Sequence, residues 1–264
     1  YEALPSNVIR IMNALLQSGF AAYIVGGAVR DLLLGKKPQD YDIATSANPE
    51  NIVRIAHKQG WRVVDKLGHN FGVVMVVIDG QMTEVAAFRG ERYGADSHRP
   101  EKVWYTQNIE DDLARRDFTV NAMAMDVDGN IIDPFGGRDD LKRKVMRTVG
   151  EPYNRFEEDA LRMFRVCRFA GQLGFTIDDS TFQAIQPNLS RVAGLSMERV
   201  RTELEKMLLA ADCQLSLDAL VHSGLAACSC RIKENGEYRS IAILPELTHL
   251  VGLPQNPAYH AYDG

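Results

Sequence analysis

Apolar side chains recur at helical intervals from Ser6 to Ser18, at Val8, Ile11, Met12, Leu15 and Leu16. Ser6 is placed to cap this amphipathic helix and Gly19 to stop it. The pattern then shortens to a strand over residues 21–25, a Gly26-Gly27 turn, and a helix over 28–34 closed by Gly35. Asn48-Pro49-Glu50 opens another helix, carrying Ile52, Val53, Ile55 and Ala56. Residues 61–64, 71–78 and 82–88 read as strands, the last two joined by Asp79-Gly80, a strong hairpin signal. Residues 89–102 are polar, hold Gly90, Gly94 and Pro100, and have no period, which predicts a long surface loop.

A charged turn at Glu110-Asp111-Asp112 leads into a half-buried helix or strand through Asn121, and Asp133-Pro134-Phe135-Gly136-Gly137 forms a second glycine turn. From Leu141 the strand-like runs stop. A basic cluster (Lys142, Arg143, Lys144, Arg147) precedes helices expected over 152–171, 178–188 and 196–210, the last opened by the capping signal Ser196-Met197-Glu198-Arg199. Beyond Asp212 further helices are expected, up to the Pro-punctuated stretch Leu253-Pro254-Gln255-Asn256-Pro257. The pattern holds no internal repeat and no low-complexity segment.

Composition narrows the class. The 264 residues are 45% hydrophobic, enough to bury a core in one large domain or two to three small ones. No run of eighteen apolar residues occurs and no signal segment opens the chain, so a soluble cytoplasmic protein is expected. The chain opens on Tyr1 rather than methionine and is expected to be part of a longer reading frame. A net charge of −5 argues against a basic coat but leaves room for a local basic groove. Of the four cysteines, Cys228-Ser229-Cys230 is too tightly spaced for a zinc pair, and reduced thiols are expected.

The candidate chemistry lies around the first glycine turn. A strand, a glycine turn and a helix N-terminus present free N–H groups to an anion, and glycine lets the backbone approach a phosphate. In Asp40-Tyr41-Asp42 an extended backbone would point both carboxylates to one face, as needed to hold a divalent cation against a nucleotide triphosphate. Glu84, on the second hairpin arm, is a weaker candidate for a third carboxylate. Taken singly, a Gly-Gly pair is more often a tight turn and an Asp-x-Asp a solvated strand end. In the helical half, Asp159, Arg162, Arg165 and Arg168 recur at three-residue spacing. That stripe reads either as a salt-bridge face, with Glu158–Arg162 as one pair, or as planar donors for bases and phosphates.

Together these motifs resemble the class II tRNA nucleotidyltransferases (CCA-adding enzymes) and the related bacterial poly(A) polymerases, of the DNA polymerase β-like superfamily. Gly26-Gly27-Ala28-Val29-Arg30-Asp31 with Asp40-Tyr41-Asp42 resembles their catalytic motif, and Arg115-Arg116-Asp117-Phe118-Thr119-Val120-Asn121-Ala122 their ribose-contacting motif. Asp133-Pro134-Phe135-Gly136-Gly137 resembles the hinge, Glu158-Asp159-Ala160-Leu161-Arg162 the amino-acid template, and Ser196-Met197-Glu198-Arg199-Val200 the fifth motif.

The resemblance implies an α+β protein: a polymerase-β-like nucleotidyltransferase head (mixed sheet with flanking helices) over 1–145, an all-helical neck over 146–211, and a partial body over 212–264 that ends as a fragment. It implies template-independent addition of CMP and AMP to the 3′ end of immature tRNA. Asp40 and Asp42 would be catalytic and hold Mg²⁺. Gly27, Arg30 and Arg116 would contact the nucleotide's phosphates or sugar. Asp159 and Arg162 would pair with the base edge of CTP or ATP, with Arg165 and Arg168 supporting that face. The partners implied are tRNA, CTP and ATP, with no membrane and no protein partner. The loop over 89–102 looks like the full-length loop of enzymes that switch from CTP to ATP, with His98 where an arginine is more usual. A poly(A) polymerase, a CC-only or A-only enzyme, and a catalytically silent RNA-binding module are the alternatives. A Rossmann dehydrogenase is excluded, since no Gly-x-Gly-x-x-Gly follows a strand.

Overall fold

The computed structural model describes residues 4–64, 72–93 and 100–250. The chain groups into two compact units, Tyr1–Arg92 with Glu101–Arg143, and Tyr93–Pro100 with Lys144–Gly264.

The first unit runs α1 (Ser6–Gln17), β1 (Ala22–Val25), α2 (Gly27–Leu33), β2 (Asp42–Thr45), α3 (Pro49–Lys58), β3 (Arg62–Val64), β4 (Val73–Ile78) and β5 (Gln81–Ala87). It continues through β6 (Arg89–Tyr93), β7 (Pro100–Tyr105), α4 (Ile109–Ala114), a 3-10 turn at Thr119–Asn121, β8 (Ala124–Met125), β9 (Ile131–Ile132) and α5 (Gly137–Arg143). Seven strands form one mixed sheet in the order β3-β4-β5-β2-β1-β8-β9, parallel only between β2 and β5. The helices α1 and α3 pack on this sheet and on each other. They bury the side chains that set their period: Val8, Ile11, Met12 and Leu15 from one, Ile52, Ile55 and Ala56 from the other. Asn48 caps α3 through its side chain, with Pro49 at the first turn. At the first helix Ser6 is already helical and Pro5 holds the cap position, without a side-chain cap bond. The β4–β5 turn has positive φ at both Asp79 and Gly80, the conformation that matches the twist of a tight hairpin.

The expected loop over 89–102 is partly a strand pair. β6 and β7 form their own two-stranded ribbon. Both faces of such a ribbon can be wet, so it needs no hydrophobic alternation. Its close fit comes instead from Gly90, where a Cβ would lie 2.4 Å from the Trp104 ring. His98 lies outside the described residues.

The second unit is mainly helical: α6 (Pro152–Glu158), α7 (Leu161–Leu173), α8 (Asp179–Gln183), α9 (Met197–Leu208) and α10 (Cys213–His222). α7 packs against α9 and α10 around Met163, Phe164, Cys167, Val200, Met207 and Leu220. A Cβ on Gly171 would stand 2.1 Å from the Ser216 Oγ, so glycine is what lets α7 and α10 approach. The four cysteines are free, and burial pushes the Cys167 thiol up to about 12, consistent with an inert packing residue.

Four expectations are corrected here. The helix over 152–171 is two helices, because Asp159 adopts extended φ/ψ (−149°, 107°) between them. The helix over 178–188 ends at Gln183 and gives way to a 3-10 stretch, Gln186–Gly194, where Pro187 has no N–H to continue an α-helix. Ser196 sits at the N-cap of α9 without a side-chain cap bond. The second unit is also not all-helical. Val145–Met146 (β10) pairs with Thr176–Ile177 (β11), and Ser229–Glu234 (β12) pairs with Glu237–Ala242 (β13) where further helix was expected. The latter hairpin turns at Asn235-Gly236, both at positive φ, a turn signal as clear as Asp79-Gly80.

In the first unit, Gly137 marks the closest backbone approach: a Cβ there would fall 2.3 Å from the Thr119 carbonyl oxygen. Gly137→Ala is expected to destabilise the protein by about 2–3 kcal/mol, because backbone rather than a flexible side chain must move. Gly80→Ala meets nothing within 4 Å and should cost only about 1 kcal/mol through its positive φ. Urea unfolding midpoints of the two variants check the order.

Candidate active site

β1 delivers the chain to Gly26, whose φ of 72° and ψ of −133° suit only glycine, and α2 starts at the next residue. The first N–H groups of α2 have no acceptor within the helix and face outward from the turn. Arg30, one turn along, is buried. Its Nε and Nη2 donate to Asp31 Oδ1 (2.8 Å each) and its Nη1 donates to Asn121 Oδ1 (2.7 Å). Arg30 therefore ties α2 to the Thr119–Asn121 turn, beside Gly27.

That turn is anchored in its own right. Asp117 Oδ1 accepts from the Phe118 N–H, and Thr119 Oγ1 donates to the buried Asp140 Oδ2 at 2.6 Å. Asp133 accepts from the N–H groups of Gly137 and Arg138 and caps α5.

Arg116 joins the two glycine-turn motifs. Its Nη2 donates to Asp112 Oδ2 (3.2 Å), and its Nη1 lies where a Cβ on Gly26 would come within 2.9 Å. Its Nε is buried with no hydrogen-bond partner among the described residues. Asp112 is fully buried and also accepts from Arg115 Nε (3.0 Å) and Nη2 (2.7 Å). Burial alone would raise this carboxyl, but Arg115 and Arg116 hold it below the usual range.

Across β2, Asp42 pairs with Val25 of β1, and Ile43 pairs with Val85 of β5. Asp42 is thus level with Glu84 on the neighbouring strand, and level residues share a face. Asp42 is exposed at the start of β2. Desolvation, then the charges of Glu84 and Asp40, raise its pKa to about 6, with Arg116 pulling the opposite way. Asp40, Asp42, Glu84, Arg116 and the Gly26 turn therefore act on one another in the first unit. Among the described residues no three His, Cys, Asp or Glu side chains converge closely enough to hold a metal ion by themselves. Hard carboxylate oxygens with an excess of negative charge suit a divalent cation whose remaining ligands come from substrate phosphates.

In the second unit the expected stripe of Asp159, Arg162, Arg165 and Arg168 is four different environments. Asp159 sits at the α6–α7 break, where Oδ1 accepts from the Leu161 N–H (3.1 Å) and Oδ2 from Arg199 Nη2 (2.8 Å). Arg162 is buried and its Nη1 donates to Glu158 Oε2 (2.5 Å) and the Arg155 carbonyl (3.0 Å), so the Glu158 pair is real. Arg165 is a third exposed, 4.0 Å from Glu203 Oε1. Arg168 is buried, bonded to Glu203 Oε2 (2.5 Å) and Gln172 Oε1 (2.7 Å), and stacked 3.9 Å from the Phe169 ring centroid. Its surroundings are those of a packing residue.

Three residues that hold the site were missed: Asp112, Asn121 and Arg199. The i,i+3 and i,i+4 spacing of Asp112 to Arg115 and Arg116 was a legible signal. Asn121 and Arg199 lie inside recognised motifs, but their bonds reach over 91 and 40 residues, and no local pattern shows those partners.

Residues 22–147 match the poly A polymerase head domain, and residues 174–228 match a probable RNA- and SrmB-binding site of polymerase A. The chain is 48% identical over 217 residues to a CCA-adding enzyme of Geobacillus stearothermophilus, covering 82% of this chain and 52% of that protein. It is 43% identical over 237 residues to one of Lactobacillus johnsonii, covering 90% and 58%. Its fold is similar to a Bacillus stearothermophilus CCA-adding enzyme solved with CTP (TM-score 0.76, 44% identity, 83% of this chain and 52% of that one). It is also similar to a tRNA nucleotidyltransferase solved with a primer tRNA and an ATP analogue (TM-score 0.66, 29% identity, 94% and 64%). The chain spans about half the length of the curated relatives it matches. No helix among the described residues is long and apolar enough to cross a membrane.

The crowding of Asp42 has a measurable sign. Its folded pKa, about 6, lies above the ordinary 3.8, so the folded state binds the extra proton between those values. Stability therefore falls as pH rises through that window, and the whole cost is present above pH 6. Asp42→Asn removes the charge and should stabilise the protein at pH 8 by about 1 kcal/mol, after discounting for solvent screening. The gain should vanish below pH 4. Thermal unfolding of both proteins at pH 8, 6 and 4 checks this, and a variant less stable at pH 8 would contradict the crowded carboxylate.

Proposed function

We propose that this chain, a member of the tRNA nucleotidyltransferase and poly(A) polymerase family, adds CMP and AMP from CTP and ATP to the 3′ end of immature tRNA, in the cytoplasm where tRNA matures. The observation that carries the reading is that Asp42 feels the charges of Glu84, Asp40 and Arg116 while Arg116 also lies against a glycine turn that opens a helix. This is an arrangement for a triphosphate and a divalent cation together. Relatives named as CCA-adding enzymes, and a related structure solved with CTP, support the substrate class.

In this reading the RNA 3′ oxygen forms a bond to the α-phosphorus of the nucleotide, and the bond to the departing pyrophosphate breaks. Enzymes of this family use divalent metals, and Mg²⁺ held by Asp40 and Asp42 would lower the pKa of the 3′-hydroxyl and neutralise charge on the phosphates. Glu84 would add negative charge that favours the cation. The free N–H groups at Gly27 and the partnerless Arg116 Nε would meet phosphate or sugar oxygens. Arg30, bonded to Asp31 and Asn121, keeps the turn in place and would lend its charge to the phosphates.

Base selection falls to Asp159 and Arg162. A carboxylate has about four acceptor positions. The Leu161 N–H and Arg199 fix the Asp159 carboxylate in place, and a carboxylate held this way would accept from the amino group that cytosine and adenine share. A base presenting a carbonyl there would leave buried groups unpaired. Arg165 would meet phosphate, and Arg168 would act by holding α7.

Primer extension on a tRNA lacking its last three nucleotides tests the reaction. With CTP alone addition should stop after two cytidines, and both nucleotides should be needed to finish. Long adenosine tails with ATP alone would make the protein a poly(A) polymerase, and incorporation by Asp42→Ala would overturn the assignment of the carboxylate. Arg199→Gln, at a half-exposed position, should fold normally but release Asp159. It is expected to cut the preference for CTP over UTP by about tenfold, read as a ratio of kcat/KM values.

A further inference from the structure

The β12–β13 ribbon has two chemically opposite faces. Register places Arg231 against Ser240 and Lys233 against Tyr238 on one face. On the other it places Cys230 against Ile241, Ile232 against Arg239, and Glu234 against Glu237. Strand alternation thus sorts the charge: the first face has two cations, a phenol and a hydroxyl and no carboxylate, and both glutamates lie on the second. Arg239 stands 3.6 Å from Glu234 there.

The second face meets the unit at Cys230, while its Glu234, Glu237, Arg239 and Ile241 are exposed. Cys230 is buried, with its Sγ 4.0 Å from the Met197 Sδ of α9. The Arg231 N–H also donates to the Leu195 carbonyl at 2.8 Å, fastening β12 to the unit by its edge. The first face is turned to solvent: Arg231, Lys233, Tyr238 and Ser240 are all exposed, Tyr238 by 62%. The Arg231 guanidinium lies 5.0 Å and the Lys233 ammonium 5.8 Å from the Tyr238 ring centroid. Neither cation makes an ion pair among the described residues.

Among the described residues that face closes no salt bridge, and its Arg231, Lys233, Tyr238 and Ser240 are exposed. We propose that it is a platform for an unpaired stretch of RNA, with a base stacked on Tyr238 and the flanking phosphates on Arg231 and Lys233. The proposal rests on reading the chain as one that acts on tRNA. The occupant follows from charge and shape. Two cations beside an exposed ring, with hydroxyls and no acid, match the alternating phosphates and π-faces of a single strand. The two cations belong to a chain of net charge −5, so they form a local patch rather than part of a general basic surface.

The test uses the full chain, with binding of a tRNA lacking its 3′ terminus and of a single-stranded RNA oligonucleotide measured across salt concentrations. Each lost phosphate contact lowers the salt slope by about 0.7–0.9, and losing a stacked base weakens binding further. R231Q/K233Q/Y238A should bind RNA on the order of tenfold more weakly at physiological salt, with a slope smaller by one to two. Y238F should keep most of the affinity, and the triple variant should match the parent's Tm and its kcat at saturating RNA. R239Q removes the same charge from the opposite face and should bind like the parent. Equal weakening in R239Q, parental binding by the triple variant, or competition by an acidic peptide as strong as by the oligonucleotide would overturn the platform. A parent that binds RNA through this face but adds no nucleotide would instead count against the proposed reaction.

Discussion

The candidate site of the first unit depends on a carboxylate outside it. Asp112 is fully buried, and a charge in that position is tolerable only when paired and hydrogen-bonded. Arg115 answers with two bonds and Arg116 with one. Because the Arg116 guanidinium is held from one end, its other end can rest against Gly26 and its charge can reach Asp42. A side chain at residue 26 would push it away, so that glycine serves both turn geometry and cation placement. A second series of contacts, Arg30 to Asn121, Thr119 to Asp140 and Gly137 under Thr119, fixes the same turn from the α5 side. The arginines reach the site already oriented, which spares the reaction the work of ordering them.

The charges at the site are left out of balance. Desolvation first, and then the charges of Glu84 and Asp40, raise the Asp42 carboxyl to about 6, and Arg116 offsets them only in part. Electrostatic strain of this kind weakens the unliganded fold slightly and strengthens the attraction for a cation. A glycine turn with free N–H groups beside it attracts the opposite charge. In the proposed reaction a cation and a polyphosphate would each improve the site for the other, which would favour their arrival as a pair.

Much of this was legible before the structure, and the exceptions have physical causes. α1 and α3 announced themselves because each buries one stripe against the sheet, and Asp79-Gly80 because only residues tolerant of positive φ fit that turn. Asn235-Gly236 carried the same signal but was passed over. The strands it joins are largely exposed on both faces, so they show cations and hydroxyls where a half-buried strand would show alternating apolar residues. The ribbon of β6 and β7 was missed for the same reason. The break at Asp159 had no local marker at all, since residues 157–161 include neither glycine nor proline. What accompanies it is a bond from Arg199, 40 residues away, and a sequence pattern cannot display an interaction at that range.

The arginine series on α7 shows how a true periodicity can still mislead. An α-helix turns by about 100° per residue, so a three-residue repeat falls short of a full turn by about 60° at each step. Arg162 and Arg168 are therefore about 120° apart around α7 and cannot share a face. The structure shows the consequence. Arg162 looks toward the α6 end and Glu158, Arg165 is partly in solvent, and Arg168 has rotated into the packing between α7 and α9, where Glu203 and Phe169 enclose it. Asp159 precedes the helix and is outside the series altogether. A residue repeat thus becomes a face only when its spacing averages 3.6. At a strict spacing of three, the same residue type is carried to different sides of the helix, and so to different partners, within two turns.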